Sequence, residues 1–350
     1  MKTRRIGSTD LVVSQIGFGC GGNAGLMVRG TAVEQERVIG RALDCGINYF
    51  DNAPDYGDGL AEENLGRSLQ AFGNRPIINT KVEIRAENLG GIADHIVHSV
   101  EGSLKRLRVD ALDIVQIHNG PVAARPHLEG RDYKTLWLED YFRPAGAIDG
   151  VLRILESGKA RYAGFVIRGG DVAEVTKLLN TALFHLVNVS FTLLNPTAAY
   201  PRPEKLNVDR DYRGVINIAK DAGAGAAIFS PLAGGVLTDA VISGQRMHAL
   251  ARPKDRKVLE TKGVLPLARR FHALAAANGM SIVQLAYGFI LGHPGVSTAL
   301  AGFSAINQLE DTVAGVANMD SLPKDVMGQI HEIWQQGSLG LTPSPARRQE

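Results

Sequence analysis

Residues 16–23 read IGFGCGGN, and Gly17, Gly19 and Gly22 within them spell G-x-G-x-x-G. The fold turns on what these glycines do. If they follow a strand and open a helix, the chain begins with a dinucleotide-binding βαβ unit and an open sheet. The run at 15–19 is strand-like, but GNAGLMVRGTA follows, with further breakers and no helix cap before Thr31. No helix opens at the pyrophosphate position. The acidic residue expected about 20 residues on falls inside a helical pattern and not at a second strand end. The glycines therefore read as a loop above a first strand, with Gly19 letting backbone approach a ligand closely.

Outward from that loop, short β-rich runs alternate with helical patterns. Strands are expected at 15–19, 47–51, 76–81, 112–118, 160–166, 186–191, 225–230 and 297–303. Helical patterns fill 33–45, 61–72, 92–108, 147–157, 171–180, 212–222, 264–278, 281–291, 304–317 and 323–336. Ile96, Val100, Leu104 and Leu107 show the three- and four-residue apolar spacing. Strict β/α alternation implies parallel strands with crossover helices. Eight such units imply an α/β fold of the (β/α)8 TIM barrel type, preceded by an N-terminal β-hairpin. Long βα loops follow strand 4 (119–146) and strand 7 (231–262), on the face where barrels place their pockets. The chain reads as one domain over 1–350, with 1–14 as the hairpin and 337–350 as a tail.

Composition narrows the function classes. The chain has 38 basic and 36 acidic side chains and a net charge of +2, mixed along its length, so no nucleic-acid partner is indicated. Two cysteines, Cys20 and Cys45, make no disulfide framework and no metal-ligand cluster, which fits a reducing, cytoplasmic setting. Residues 279–309 lack any charged side chain, but GHPG interrupts them, so they read as a buried helix and strand and not as a membrane span. The sequence carries no sign of oligomeric state.

The chemistry gathers at strand ends. Asp51, Lys81 and His118 end strands 2, 3 and 4, spaced 30 and 37 residues apart, about one βα unit each. A barrel sets such residues side by side at its rim, and Tyr56 lies in the adjoining loop NAPDYGDG. A lysine beside a tyrosine hydroxyl lowers its pKa from about 10, because the phenolate forms next to a positive charge. The aspartate holds the lysine charged, the histidine hydrogen-bonds a carbonyl oxygen, and the tyrosine protonates that oxygen as hydride reaches carbon.

GINYFDNAPDYGDGLAEENLGRSL, INTKV and QIHN resemble the signature segments of the aldo-keto reductase superfamily. The resemblance runs from IGFG to NQLED. It implies a barrel that binds NADP(H) without a dinucleotide fold, with Asp51, Tyr56, Lys81 and His118 as the catalytic tetrad. Gly19 and Cys20, on the strand-1 loop near the expected nicotinamide, are candidate cofactor contacts, with a structural role for Cys20 as the alternative, and the resemblance implies a contact from Asn188, in place of a longer glutamine, beside the carboxamide. Phe229 would lie under the nicotinamide, and Ser230, Leu232 and Gly234 would cradle the pyrophosphate. Ser304, Gln308, Asp311 and Thr312 would meet the adenosine end. Four departures stand out. Val166 and Ile167 replace the Ser-Asn pair that holds the carboxamide. Serine occupies position 304, often basic in the family, so NADP is expected with NAD as the alternative. Asp311 and Thr312 stand where Glu and Asn are usual. Asn52 replaces a common threonine.

The expected activity is hydride transfer between NAD(P)(H) and a small carbonyl or alcohol, an aldehyde, ketone or sugar-like molecule. Two other readings use the same barrel: a nucleotide-binding regulatory subunit with little turnover, and a Schiff-base aldolase with Lys81 as nucleophile. Residues 23–29, the strand-4 loop 119–146 and the region after Leu237 are expected to build the substrate pocket. In the strand-4 loop Tyr133, Trp137, Tyr141 and Phe142 either line it or pack the loop onto the barrel rim, and Arg125, Arg131 and Arg143 either attract an acidic substrate or form a solvated loop face.

Overall fold

A computed structural model of the chain describes residues 1–73, 75–126, 134–245, 247–317, 319 and 321–337. Tyr133, Arg131 and the expected tail beyond 337 lie outside these residues. The hairpin forms first, β1 (Thr3–Arg5) pairing antiparallel with β2 (Val12–Ser14). The barrel strands are β3 (Ile16–Gly19), β4 (Tyr49–Asp51), β5 (Ile77–Val82), β6 (Leu112–Ile117), β9 (Ala160–Val166), β10 (Phe184–Ser190), β11 (Gly225–Phe229) and β12 (Val296–Ala301). All neighbours in this ring are parallel, and β12 returns to pair with β3, closing the barrel. Two three-residue strands, β7 (Gly120–Val122) and β8 (Thr135–Trp137), form a separate two-stranded pair in the strand-4 loop.

The crossovers begin with α1 (Leu26–Arg29), α2 (Ala32–Asp44), α3 (Leu60–Gln70) and α4 (Ile92–Leu107). They continue with α5 (Leu138–Phe142), α6 (Ala147–Glu156), α7 (Val172–Leu179) and α8 (Val215–Asp221). Beyond β11 come α9 (Asp239–Ser243), α10 (Arg256–Thr261), α11 (Val264–Ala277) and α12 (Ile282–Leu291), and beyond β12 come α13 (Ile306–Val316) and α14 (Lys324–Gln336). Caps set several starts. Thr31 and Glu34 form a reciprocal capping box at α2, and Ser281 with Gln284 does the same at α12.

The hairpin plugs the barrel floor. Ile6, Leu11 and Val13 pack with Tyr49, Ile114, Leu186, Ala227 and Leu300 from the strands. A larger apolar layer lies between the barrel and its helices. The uncharged stretch at 279–309 resolves into α12 and β12, both buried. Among the described residues no single helix is long and apolar enough to cross a bilayer.

The glycines of the opening loop find their explanation here. Gly17 faces inward, where a Cβ would stand 2.9 Å from both Thr298 Oγ1 and Tyr49 Cδ1. A short helix does begin at Leu26, which the sequence did not indicate, but it lies beyond Gly22 and spans four residues.

Candidate active site

The strand ends converge as the spacing requires. Asp51 ends β4, Lys81 is the penultimate residue of β5, and His118 follows β6 directly. Tyr56 hangs over them from the loop between β4 and α3. Lys81 Nζ lies 2.5 Å from Asp51 Oδ1 and 2.6 Å from the Asn52 carbonyl, and it approaches Tyr56 Oη at 3.4 Å. Both members of the Lys81–Asp51 pair are buried. Burial draws the Lys81 ammonium down, but Asp51 and Tyr56 outweigh it, and its pKa stands above the ordinary value. The lysine is thus charged, its geometry determined by two oxygens, and its remaining donor points at the tyrosine.

The tyrosine departs from the expectation. Lys81 does pull the Tyr56 hydroxyl down, but burial pushes harder, and the net position is about 12. Removing a phenolate from water opposes ionisation more than one neighbouring ammonium, itself neutralised by Asp51, can favour it.

A second layer, unforeseen in the sequence, orients Asp51. Its Oδ2 accepts from Asn79 Nδ2 at 2.8 Å and from Asn188 Nδ2 at 2.9 Å. Gln116 completes the ring, accepting from Asn79 at 2.9 Å and donating to Asn188 Oδ1 at 3.0 Å. Asn188 therefore serves the carboxylate network besides facing the cleft. Asn79 and Gln116 each sit two residues before Lys81 and His118, on the same side of their strands. That period-two pattern was the available signal.

One cleft of about 870 Å³ runs over this set. Gly19, Asn188, Phe229, Ser230, Leu232, Gly234, Ser304, Gln308, Asp311 and Thr312 all line it, as do the four tetrad residues. Cys20 is the exception. It is 1% exposed, belongs to the apolar core and does not line the cleft. Burial pushes its thiol well above the ordinary range. The loop turns its side chain inward, into the core and away from the cleft. Val166 lines the cleft and Ile167 is buried, so neither offers a polar side chain.

Ser304 and Gln308 are already engaged. Ser304 Oγ donates to the Ala24 carbonyl at 2.6 Å, and the Ser304 N–H donates to Gln308 Oε1 at 2.8 Å. Donation from the Ser304 hydroxyl to a phosphate would require breaking the first bond. Cations come from elsewhere. The stretch before α10 crosses to the strand-1 loop, where the Arg252 N–H donates to the Asn23 carbonyl at 2.8 Å. Arg29 joins the two segments, donating to the Gly22 carbonyl at 2.7 Å and to the Leu250 carbonyl. A Cβ on Gly22 would lie 3.8 Å from Arg252 Nη2, and one on Gly234 would lie 2.7 Å from Lys254 Nζ. Among the described residues the Arg252 and Lys254 side chains have no ion-pair or hydrogen-bond partner. Ser230 and Ala233 take positive φ (52° and 50°), folding the loop after β11 into a concavity of backbone beneath Lys254.

Beside the tetrad, Asp55 Oδ1 lies 3.2 Å from His118 Nδ1, and Glu83 Oε2 lies 3.8 Å from it. Burial pushes the Asp55 carboxyl up, but His118, Lys81 and Arg168 outweigh it and hold it below its ordinary value. Neither residue was singled out in the sequence, because their meeting depends on three loops.

The family model described as "Aldo/keto reductase family" matches residues 15–335. The chain is 29% identical to an L-glyceraldehyde 3-phosphate reductase of Escherichia coli, covering 97% of this chain and 94% of that one. It is 26% identical to an L-galactose dehydrogenase of Arabidopsis thaliana, over 93% and 91% of the two chains. It is also 26% identical to a Schizosaccharomyces pombe chain named for a voltage-gated potassium channel β subunit, over 94% and 92%. In fold it is similar to the holo form of an aldo-keto reductase from Bacillus halodurans, with a TM-score of 0.70, 21% identity and 99% coverage of each chain.

Proposed function

The chain belongs to the aldo/keto reductase family, and from that premise we propose that it transfers hydride between NADP(H) and a small carbonyl or alcohol, with Tyr56 as the proton donor and acceptor. The observation that carries this reading is the approach of Lys81 Nζ to Tyr56 Oη at 3.4 Å, with the lysine anchored on Asp51. A charged lysine at that distance lowers the energy of the developing phenolate as the proton leaves. His118, 5% exposed at the cleft floor, is the second donor for the carbonyl oxygen.

The lining fits a dinucleotide. Phe229 offers a flat face, the loop 230–235 a backbone concavity, Arg252 a lining cation and Lys254 a second cation against Gly234, both without a partner among the described residues. Asp311 and Thr312 line the far end of the same cleft. When bound, the nicotinamide supplies or accepts the hydride. The free cation at Arg252 supports NADP over NAD, in place of the basic residue absent from position 304. Asn188 and Arg168 are polar lining residues near the apolar Val166.

The test is NADPH consumption against a panel of small aldehydes by wild type and Tyr56→Phe. The variant is expected to lose roughly 10²–10⁴ in kcat/KM, the scale of a positioned proton donor. A rate that survives the change refutes the assignment. The similarity to the channel-subunit chain gives the regulatory reading its support; tight NADPH binding with no turnover of any carbonyl would favour it.

A further inference from the structure

Resting on the oxidoreductase reading, we propose that Asp55 is a positioning residue for His118. Its carboxylate, with that of Glu83, fixes the proton of the neutral ring on Nδ1, so that Nε2 donates to a bound carbonyl only when the ring takes up a second proton. His118 Nδ1 is buried and faces Asp55 Oδ1 at 3.2 Å and Glu83 Oε2 at 3.8 Å. Among the described residues neither Nδ1 nor Asp55 Oδ1 has a hydrogen-bond partner elsewhere. A lone pair on Nδ1 would be repelled by both carboxylates, whereas an N–H there is attracted. The tautomer follows from that difference in sign and does not need a well-aligned hydrogen bond. His118 lines the cleft, and with Nδ1 closed off, Nε2 is the nitrogen left for a ligand.

The surrounding charges hold this arrangement. Asp55 directly precedes Tyr56 in the loop between β4 and α3, and Glu83 directly follows β5. Burial opposes the Asp55 charge, but His118, Lys81 and Arg168 outweigh it. Glu83 lies 3.2 Å from Arg85 Nε and 3.9 Å from Arg168 Nη1. Tyr56 meets the His118 ring edge-on, with ring centres 6.1 Å apart. The consequence separates the two directions of reaction. A neutral ring protonated on Nδ1 presents a lone pair at Nε2, which accepts from the hydroxyl of a bound alcohol. A bound carbonyl oxygen only accepts, so it needs a ring with both nitrogens protonated. In either case His118 keeps its protons. The carbonyl carbon gains the hydride, and its oxygen gains the Tyr56 proton.

The experiment compares wild type with Asp55→Asn and with Asp55→Asn combined with Glu83→Gln. An amide can donate to Nδ1, which moves the ring proton to Nε2 and lets the neutral ring donate. For propanal reduction over about pH 5–9, wild-type kcat/KM is expected to fall by about tenfold per pH unit once the ring loses its second proton. The double variant is expected to vary by less than about threefold over that range. General damage lowers a rate without flattening its pH profile. Histidine nitrogen NMR shifts read the tautomer without turnover, with the His118 signals identified by their absence in His118→Gln. The neutral ring is expected to carry its proton on Nδ1 in wild type and on Nε2 in the double variant. A flat wild-type profile, a slope kept in both variants, or a wild-type proton on Nε2 overturns the proposal. Should no carbonyl be turned over, the shifts decide. A proton on Nδ1 that the double variant moves leaves the positioning role standing and sinks only the oxidoreductase reading, while one that does not move, or that starts on Nε2, overturns both.

Discussion

Tyr56 stands between two opposed influences, and their balance determines when it can give or take a proton. Burial outweighs Lys81, and the hydroxyl lies near 12. An acid whose pKa is raised keeps its proton to higher pH, so Tyr56 stays loaded as a donor throughout the neutral and mildly alkaline range. Reduction should show no Tyr56-dependent fall below pH 10. Oxidation needs the phenolate, so its kcat/KM should climb about tenfold per pH unit toward 10; a plateau near pH 8 would show that the bound cofactor lowers the hydroxyl far below its position here. The same shift acts on stability. An unfolded tyrosine ionises near 10, so the contribution of this group is present below that pH and is lost as pH rises from about 10 toward 12. The tetrad itself was legible because Asp51, Lys81 and His118 recur at one βα unit, which a barrel converts into adjacency. The sign of the Tyr56 shift was not, because burial is a property of the closed cleft and Lys81 alone suggested the opposite. Asp55 and Glu83 were invisible for a related reason, since nothing in NAPDYGDG or INTKVEIR places either beside a histidine from another strand.

Elements show the same division between local and long-range causes. α2, α3, α4 and α6 start and stop within two residues of where apolar spacing puts them, because each buries one continuous stripe. The β7–β8 pair and the short helices α1, α5, α9 and α10 had no such signature. They are three to six residues long and are held by contacts with distant segments, as Arg29 is by the Leu250 carbonyl. Helix packing also explains two glycines of opposite consequence. Gly66 in α3 lies against the end of α4, where a Cβ would stand 2.5 Å from the Arg106 carbonyl oxygen and 2.6 Å from that of Leu107. Gly66→Ala should destabilise the protein by about 1–3 kcal/mol, since backbone on the facing helix must move. Gly328 in α14 is exposed with nothing within 4 Å of the added atom. Gly328→Ala should stabilise by about 0.5–1 kcal/mol through helix propensity. Denaturant midpoints for the two variants check both signs, and equal shifts would show that the close approach at Gly66 is not what fixes that position.

Across the whole molecule, the site depends on segments more than 200 residues apart. Gly22 and Arg29 from the strand-1 loop meet Leu250 and Arg252, while the hairpin closes the opposite end of the barrel. This joining puts Arg252 on the cleft and Lys254 against Gly234 beside it, and no sequence pattern around either residue announces it. The consequence is measurable without turnover. A ligand that binds only the folded state stabilises it by RT ln(1 + [L]/Kd), about 2.7 kcal/mol at a hundredfold excess over Kd. NADPH and NADH differ by one phosphate, so their thermal shifts at equal concentration compare the contribution of the cations alone. NADPH should raise the melting temperature more than NADH. Arg252→Ala should narrow that gap, because an exposed guanidinium with no partner among the described residues is free to meet the phosphate, and its loss disturbs no ion pair among them. Tyr56→Phe should leave the gap intact, since it acts on the proton and not on the dinucleotide. Equal shifts from the two nucleotides in wild type would remove the case for NADP and return position 304, where Ser304 is tied to Ala24, to a site built for the unphosphorylated cofactor.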